Sequence, residues 1–275
     1  MNGAFPSGWT WGWFLILVLG CLAIFPLTFN ALVQGQENGE SSDEAPVVDD
    51  EDLPLSAQIA SQQWEKVSRE AVDAESVSPL YKRVALTFDD GPDGRYTVEI
   101  LDILRREGVP ATFFVVGHMV RGYPGIVKRM DEEGHVVANH SWSHPILTQM
   151  NEKKIKKELT ATNRAVEQAI GKEMLLMRPP YGAIRGKEEI VKNGGWEIVM
   201  WDVDPMDWKR EKTAQEIRFS VTGGVKPDSI VLLHSAGGDR EATVRALPGI
   251  IRDLHRAGYR FVTVDEILGE SPYKN

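Results

Sequence analysis

The sequence is nearly without cysteine. Its 275 residues hold one, Cys21, which leaves no internal disulfide and no multi-cysteine metal site, so any bound metal must be held by histidine and carboxylate. Positive charge is also scarce. Lys and Arg total 31 against 40 Asp and Glu, a net charge of -9, which denies the chain the basic surface needed to grip a phosphate backbone and excludes nucleic acid as the expected partner. Apolar residues are not scarce, at 42% against 26% charged, so disorder is excluded for most of the length. The length itself suits one large domain with appendages.

Charge of either sign is missing from Met1 to Gln36, where Phe14 to Phe29 reads FLILVLGCLAIFPLTF behind Trp9, Trp11 and Trp13. From Trp11 to Val33 the apolar length suffices to cross a bilayer, which takes about 20 residues, and the tryptophans suit its interfacial belt. A cleaved secretory signal wants a basic start and a small-x-small site. The start MNGAFPSGWT has no Lys or Arg and FNALVQGQ offers only a poor site, so residues 1–36 are read as an uncleaved transmembrane anchor. Val18-Leu19-Gly20-Cys21 is faintly a lipoprotein box, set aside because the apolar run continues beyond the cysteine. The first basic residue is Lys66, so the charge bias that orients membrane proteins has almost nothing to count. Residues 37–80 are expected to be a linker. Glu37 to Asp52 is acidic and punctuated by Gly, Ser and Pro, a solvated tether, and Leu55 to Ala74 has the spacing for a helix presenting Ile59, Trp64, Val67 and Val72.

From Tyr81 onward, short β-rich runs recur at Val84 to Phe88, Thr112 to Val116, His135 to Ala138, Met174 to Met177, Glu197 to Trp201, Ile230 to Leu233 and Arg260 to Val264. Helical patterns separate them. Thr97 to Glu107 is closed by Gly108, and Asn151 to Ile170, with Ile155, Leu159, Val166 and Ile170 on one face, ends at Gly171. Such alternation predicts an α/β domain over residues 81–270, with parallel strands joined by crossover helices and a barrel or near-barrel as its natural closure. In that architecture chemistry collects at the C-terminal ends of the strands.

Chemically capable residues stand just past five of the seven runs. These are Asp89-Asp90-Gly91-Pro92, His140-Ser141-Trp142-Ser143-His144, Arg178-Pro179-Pro180-Tyr181-Gly182, Asp204-Pro205-Met206-Asp207-Trp208 and His234-Ser235. Two imidazoles four residues apart can face one ion if the segment is helical or tightly turned, and a carboxylate from another strand completes a three-ligand site with room for water, the arrangement of zinc or another borderline divalent ion. A calcium loop beginning at Asp89 fails, because its third and twelfth positions would be Gly91 and Ile100. An aspartyl-phosphate nucleophile would leave the histidine pair unexplained.

Thr87-Phe88-Asp89-Asp90-Gly91-Pro92, His140-Ser141-x-x-His144, Arg178-Pro179-Pro180-Tyr181-Gly182, Asp204-x-x-Asp207-Trp208 and Leu232-x-His234 together resemble the five ordered motifs of the NodB-like polysaccharide deacetylases, carbohydrate esterase family four. The match spans about Arg83 to Leu268, without departure at a motif position. The resemblance implies a distorted barrel of seven or eight β/α units and a metal-dependent hydrolase that removes N-acetyl groups from amino sugars. It implies Asp90, His140 and His144 as metal ligands, for Zn2+ first and Co2+ or another first-row ion second. It implies Asp89 as the base, with Arg178 beside it lowering its pKa, and the backbone N–H of Tyr181 as the oxyanion donor. His234 is the implied acid, held charged by Asp204, with Asp207 the fallback because sequence cannot choose between acids three residues apart. Leu232 and Trp208 would line a pocket for the acetyl methyl, and Trp142 would stack on a sugar face.

The remaining histidines, His118, His135 and His255, are expected to be structural or surface residues, and Trp196 and Trp201 core. The expectation for the chain is thus a monomeric, membrane-tethered, extracytoplasmic deacetylase, secreted instead if residues 1–36 are cleaved, acting on peptidoglycan N-acetylglucosamine. Chitin oligomers or an acetylated xylan would need the same rim. A non-catalytic wall-binding protein that keeps a metal site is the competing class, opposed by the presence of both Asp89 and His234.

Overall fold

The computed structural model describes residues 82–274. The expected anchor at 1–36 and linker and helix at 37–80 lie outside the described residues. Among the described residues no helix is long and apolar enough to cross a membrane.

Seven parallel strands alternate with helices in the order β1 (Lys82–Asp89), α1 (Tyr96–Glu107), β2 (Thr112–Val115), α2 (Gly117–Gly122), α3 (Pro124–Glu132), β3 (Val136–Asn139), α4 (Glu152–Ile170), β4 (Leu176–Met177), α5 (Glu188–Lys192), β5 (Glu197–Ile198), α6 (Ala214–Gly224), β6 (Ser229–His234), α7 (Glu241–Arg256), β7 (Tyr259–Phe261) and α8 (Val264–Leu268). The sheet runs β5-β4-β3-β2-β1-β6. Because β6 occupies one edge of β1 from Val84 to Asp89, β2 and β7 divide the other, β7 pairing with Lys82 to Val84 and β2 with Thr87 to Asp89.

The period of two along each strand separates two interiors. Val84, Leu86, Phe88, Phe113, Val115, Val137, Val231 and Leu233 face the helices and form the main core, with Phe88 stacked on Phe113 at 5.2 Å. Ala85, Phe114, Val136, Ala138, Leu176 and Val199 face inward and fill the base of the half-barrel. Continuing that inward register toward the strand ends replaces apolar groups with Thr87 and Asp89 on β1 and, past Leu232, with His234 on β6. One stripe of alternating residues is therefore core below and site above.

The barrel is closed only in part. The run expected from Glu197 to Trp201 pairs as a strand for two residues, and the chain then crosses to bridge Val203 with Val231 of β6, where Leu232 N donates to Val203 O at 2.9 Å. The crossing removes the Val199 and Met200 carbonyls from any ladder, and the buried Arg178 guanidinium takes both at 3.3 Å. The expected strand at Met174 to Met177 is likewise cut to Leu176–Met177, because Met174 pairs antiparallel with Tyr273 of the C-terminal tail. Val264, expected at the end of the last strand, instead begins α8, since Thr263 and Glu266 form a reciprocal cap there.

α4 shows why its sequence makes a helix. Asn151 accepts from Lys154 N at 3.0 Å at its start, Ile155, Leu159 and Val166 are buried on one face, and Gly171 ends it at φ 71°.

Candidate active site

Five loops at the C-terminal ends of β1, β3, β4, β5 and β6 meet at one rim. Of the six non-glycine residues with positive φ among the described residues, Asp90, Ser141, His144, Tyr181 and Met206 lie in these loops. Left-handed backbone is costly for side chains with a Cβ and persists where the surroundings over-determine it, so this end of the sheet carries local strain that the helix layer lacks.

At its centre, Asp90, His140 and His144 bring one ligand atom each to within 4.8 Å of the others. His144 Nε2 lies 3.2 Å and His140 Nε2 3.7 Å from Asp90 Oδ1. His140 is buried, and burial, opposed by Asp90, lowers its pKa to about 3, so the imidazole is neutral. Its Nδ1 lies 2.8 Å from the Arg178 carbonyl, which fixes the proton there and leaves the Nε2 lone pair facing Asp90. A neutral, oriented imidazole, a second imidazole and a carboxylate fit a borderline divalent ion. Polar groups behind the histidines hold the loop. Asn139 Oδ1 accepts from Ser141 N at 2.8 Å while its Nδ2 donates to Asn163 and to the Leu159 carbonyl, and Ser141 Oγ accepts from His144 N at 3.1 Å.

Asp89 is 3% exposed and splits its oxygens between two tasks. Oδ1 accepts from Arg178 Nη1 at 2.8 Å, and Oδ2 faces the cradle 3.6 Å from His140 Nε2. Arg178 is wholly buried between Phe114, 4.0 Å from its guanidinium, and Trp201 at 5.4 Å, and it also donates to Thr87 Oγ1 at 2.8 Å. Arg178 depresses the Asp89 pKa as expected, by its charge and its hydrogen bond, but it does not set the net direction. Burial pushes the carboxyl up, Arg178 and His234 pull against that rise, and the net direction is upward. The physical reason is the completeness of the burial, which raises the proton affinity of the carboxylate more than one buried cation lowers it.

Across the rim, His234 Nδ1 lies 2.7 Å from Asp207 Oδ1, and Asp207 Oδ2 accepts from His234 N at 2.9 Å and from Thr243 Oγ1 at 2.8 Å. Burial lowers the imidazole pKa, but the Asp207 hydrogen bond and charge, with Asp89 and Asp90 beyond, outweigh it and the net shift is upward. Asp207, not Asp204, is thus the partner of His234. Asp204 is exposed and accepts from Met206 N at 2.7 Å, bracing the turn through the left-handed Met206 that swings Asp207 inward.

Tyr181 follows two prolines and has φ 61°. Its backbone N–H has no acceptor among the described residues, and its ring, 68% exposed, stands edge-on to His144 at 4.6 Å. Leu232 is buried on the inward face with His234, and Trp208 is 47% exposed at the rim. Trp142 departs from expectation. Its indole packs against the backbone of Gly117, where a Cβ would collide with the ring, with Arg121 5.2 Å from the ring centroid, so it anchors the outside of the histidine loop rather than offering a face at the rim. Glu158 ties that loop to α4 by accepting from Trp142 N and Ser143 N at 3.0 and 2.8 Å. Of the other histidines, His135 is buried with its Nδ1 accepting from Ala111 N at 3.1 Å, and His255 packs edge-on to Phe261 at 4.9 Å.

Sequence reasoning gave no role to Thr87, although it stands in the first motif, and missed Asn139, Asn163, Glu158 and Thr243. Only Thr87, two residues before Asp89 on the same strand face, carried a readable signal.

Residues 77–198 match the family profile described as polysaccharide deacetylase. The sequence is 41% identical over 189 residues to the peptidoglycan-N-acetylglucosamine deacetylase PgdA of Listeria monocytogenes, covering 69% of this chain but only 39% of that protein's length. It is 40% identical over 190 residues to a peptidoglycan-N-acetylglucosamine deacetylase of Bacillus cereus, covering 68% of this chain and 88% of the relative. The fold superposes on the Bc1960 peptidoglycan N-acetylglucosamine deacetylase, solved with a hydroxamate-type benzamide, at a TM-score of 0.67 and 39% identity over 70% of this chain and 91% of that one. Identity at this level across 88% of the Bacillus cereus protein, on a shared parallel fold, makes the assignment plain: the chain belongs to the polysaccharide deacetylase family.

Proposed function

We propose that this chain is a metal-dependent hydrolase that removes the acetyl group from N-acetylglucosamine residues of peptidoglycan. One observation carries the reading: a buried carboxylate on an arginine, a three-ligand cradle and an imidazole on a carboxylate converge at one rim. The substrate follows from the similarity to proteins named for that activity, and this chain spans about 39% of the length of the Listeria relatives.

Asp90, His140 and His144 would hold the ion, Zn2+ by the chemistry of the donor set, and when bound it supplies Lewis acidity toward the acetamide oxygen and toward water. Asp89 Oδ2, left free by the Arg178 contact, takes the proton from the attacking water. Its raised proton affinity makes it a stronger base, and the guanidinium aims it. The uncommitted Tyr181 N–H donates to the oxygen on which charge develops. His234, whose proton Asp207 stabilises, gives it to the departing amine, so that the sugar leaves as a neutral amine rather than an anion. The products are acetate and a glucosamine residue. Residues 1–36 anchor this domain on the outer side of the membrane and residues 37–80 tether it, a reading supported by the uncharged apolar run, the acidic segment behind it and a substrate that lies outside the cell.

The test uses the full chain in detergent, stripped of metal with a chelator and resupplied with Zn2+, on muropeptides, chitin oligomers and acetylated xylan. Acetate should appear only with metal, and mass spectrometry should place the lost acetyl on the glucosamine of muropeptides. Release from chitin or xylan alone would move the substrate, and release from no glycan would turn the chain into a wall-binding protein.

A further inference from the structure

The loop after Asp207 and the first turns of α6 and α7 enclose a groove of about 760 Å³, walled by Lys209, Arg210, Lys212, Arg245, Asp239 and Glu241. Asp207 lines this groove and bonds His234, so the groove begins one side chain away from the imidazole at the rim. Both α6 and α7 follow strands of the parallel sheet, so their first turns lie at the same end of the barrel as the rim.

The charges in the groove are unevenly engaged. Glu241 Oε2 is held by Arg95 Nη2 at 2.9 Å, and Asp239 Oδ1 accepts from Tyr96 Oη at 2.9 Å and from Glu241 N at 3.0 Å. Lys209, Arg210, Lys212 and Arg245, by contrast, make no ion pair among the described residues. Four cations without an ion-pair partner at one groove, beside carboxylates already engaged by Arg95 and Tyr96, make a local positive field. Lysine and arginine heads in such a wall pair with carboxylates, arginine in two-pronged fashion. Lys209 also lies 5.3 Å from the ring centroid of the half-exposed Trp208, which sets an aromatic face suited to a sugar ring directly beside a cation.

We infer that this groove is a subsite for carboxylates carried on the glycan next to the reacting sugar, and that it selects acid-bearing strands over neutral ones. The inference rests on the deacetylase reading and adds to it a named origin of selectivity. The carboxylate can come from an acid ether on the sugar or from a peptide attached to it, two sources that the experiment separates.

The full chain, loaded with metal, is assayed on three oligomers: a peptide-bearing muropeptide, the same glycan stripped of peptide but keeping its sugar acid, and a neutral N-acetylglucosamine oligomer. Wild type is compared with Lys209→Gln/Arg210→Gln/Arg245→Gln and with Lys153→Gln/Lys154→Gln/Lys157→Gln on the exposed face of α4, which removes the same charge elsewhere. In the groove variant, the ratio of kcat/KM on acid-bearing over neutral glycan should fall about tenfold, through KM, with a flatter salt dependence. The α4 variant should keep the ratio. A fall on the peptide-bearing oligomer alone assigns the groove to peptide carboxylates, and an equal fall on both acid-bearing oligomers assigns it to the sugar acid. A ratio unmoved by the groove variant, or moved as far by the α4 variant, overturns the inference. Should wild type release acetate from none of the three, the deacetylase reading fails by itself. Calorimetric binding of the muropeptide then decides the groove, which is overturned if the groove variant binds as tightly as wild type.

Discussion

Two carboxylate pairs flank the metal cradle and are built in opposite ways. In Asp89–Arg178 both side chains are sealed from water, and burial itself lifts the carboxyl against the pull of its cation. In Asp207–His234 the imidazole keeps partial access to solvent, and the carboxylate lifts it against burial. Both pKa values move upward, yet the consequences are opposite. A carboxylate with raised proton affinity accepts a proton more readily, whereas an imidazole with raised affinity stays loaded to give one. Under the proposed mechanism the two shifts suit a base on one side of the cradle and an acid on the other, the division of labour that cleaving an amide demands.

The first way to break this comparison is Asp89→Asn. The amide keeps the size of the side chain and leaves Arg178 its bond to Thr87, but it cannot take a proton. kcat/KM should fall about 10³-fold, within the range ascribed to a positioned general base, while bound metal per chain stays that of wild type. Metal analysis alongside acetate release checks both halves. If the metal leaves with the activity, Asp89 is a ligand and the roles of Asp89 and Asp90 must be exchanged.

A smaller effect is expected from Asp207→Asn, where the acid remains but loses the group that keeps it charged. kcat/KM should fall about 10²-fold at neutral pH. If His234 is the proposed acid, turnover needs it protonated and declines as pH rises through its pKa, so lowering that pKa should carry the alkaline limb of the profile to lower pH. An unmoved limb would show that Asp207 does not hold the proton. Folding stability gives an independent reading with the same sign. The contribution of a raised imidazole is complete below the unfolded value of about 6.5 and is lost as pH climbs through the folded value. The gap in urea midpoint between wild type and variant should therefore be wide near pH 6 and narrow upward from there.

The contrast between the two pairs also marks what could be read from the sequence. The alternation of strands and helices, and the five polar clusters at strand ends, follow from periodicity and turn residues that act locally, so the helix layer and a histidine pair with a carboxylate at the rim were legible, while the choice of Asp90 as that carboxylate came from the family resemblance. What was not legible depends on where the chain travels. β5 ends after two residues because its continuation crosses to β6, and only the fold shows that Arg178 then absorbs the stranded Val199 and Met200 carbonyls. Trp142 sits in a motif, but its direction was decided by the space left by Gly117 on a different loop. The upward shift of Asp89 needed the degree of burial, which no spacing reports.

Asp204 and Asp207 present the finest version of the same problem, and the smallest predicted effect separates them. Both acids stand in one turn, three residues apart, and either could have met His234. The left-handed Met206 between them decides, because it turns the chain so that Asp207 is buried against His234 and Thr243 while Asp204 stays in solvent, accepting from Met206 N. Removing that acceptor costs about the net worth of one exposed hydrogen bond, roughly 0.5–1.5 kcal/mol, and it acts on how often the turn is formed rather than on the proton of His234. Asp204→Ala should therefore lower kcat/KM by less than about tenfold. Its alkaline limb should coincide with that of wild type, because the charge beside the imidazole is untouched. A limb displaced as far as in Asp207→Asn would mean that Asp204 reaches the imidazole during turnover, and the static preference for Asp207 would then describe only the resting enzyme.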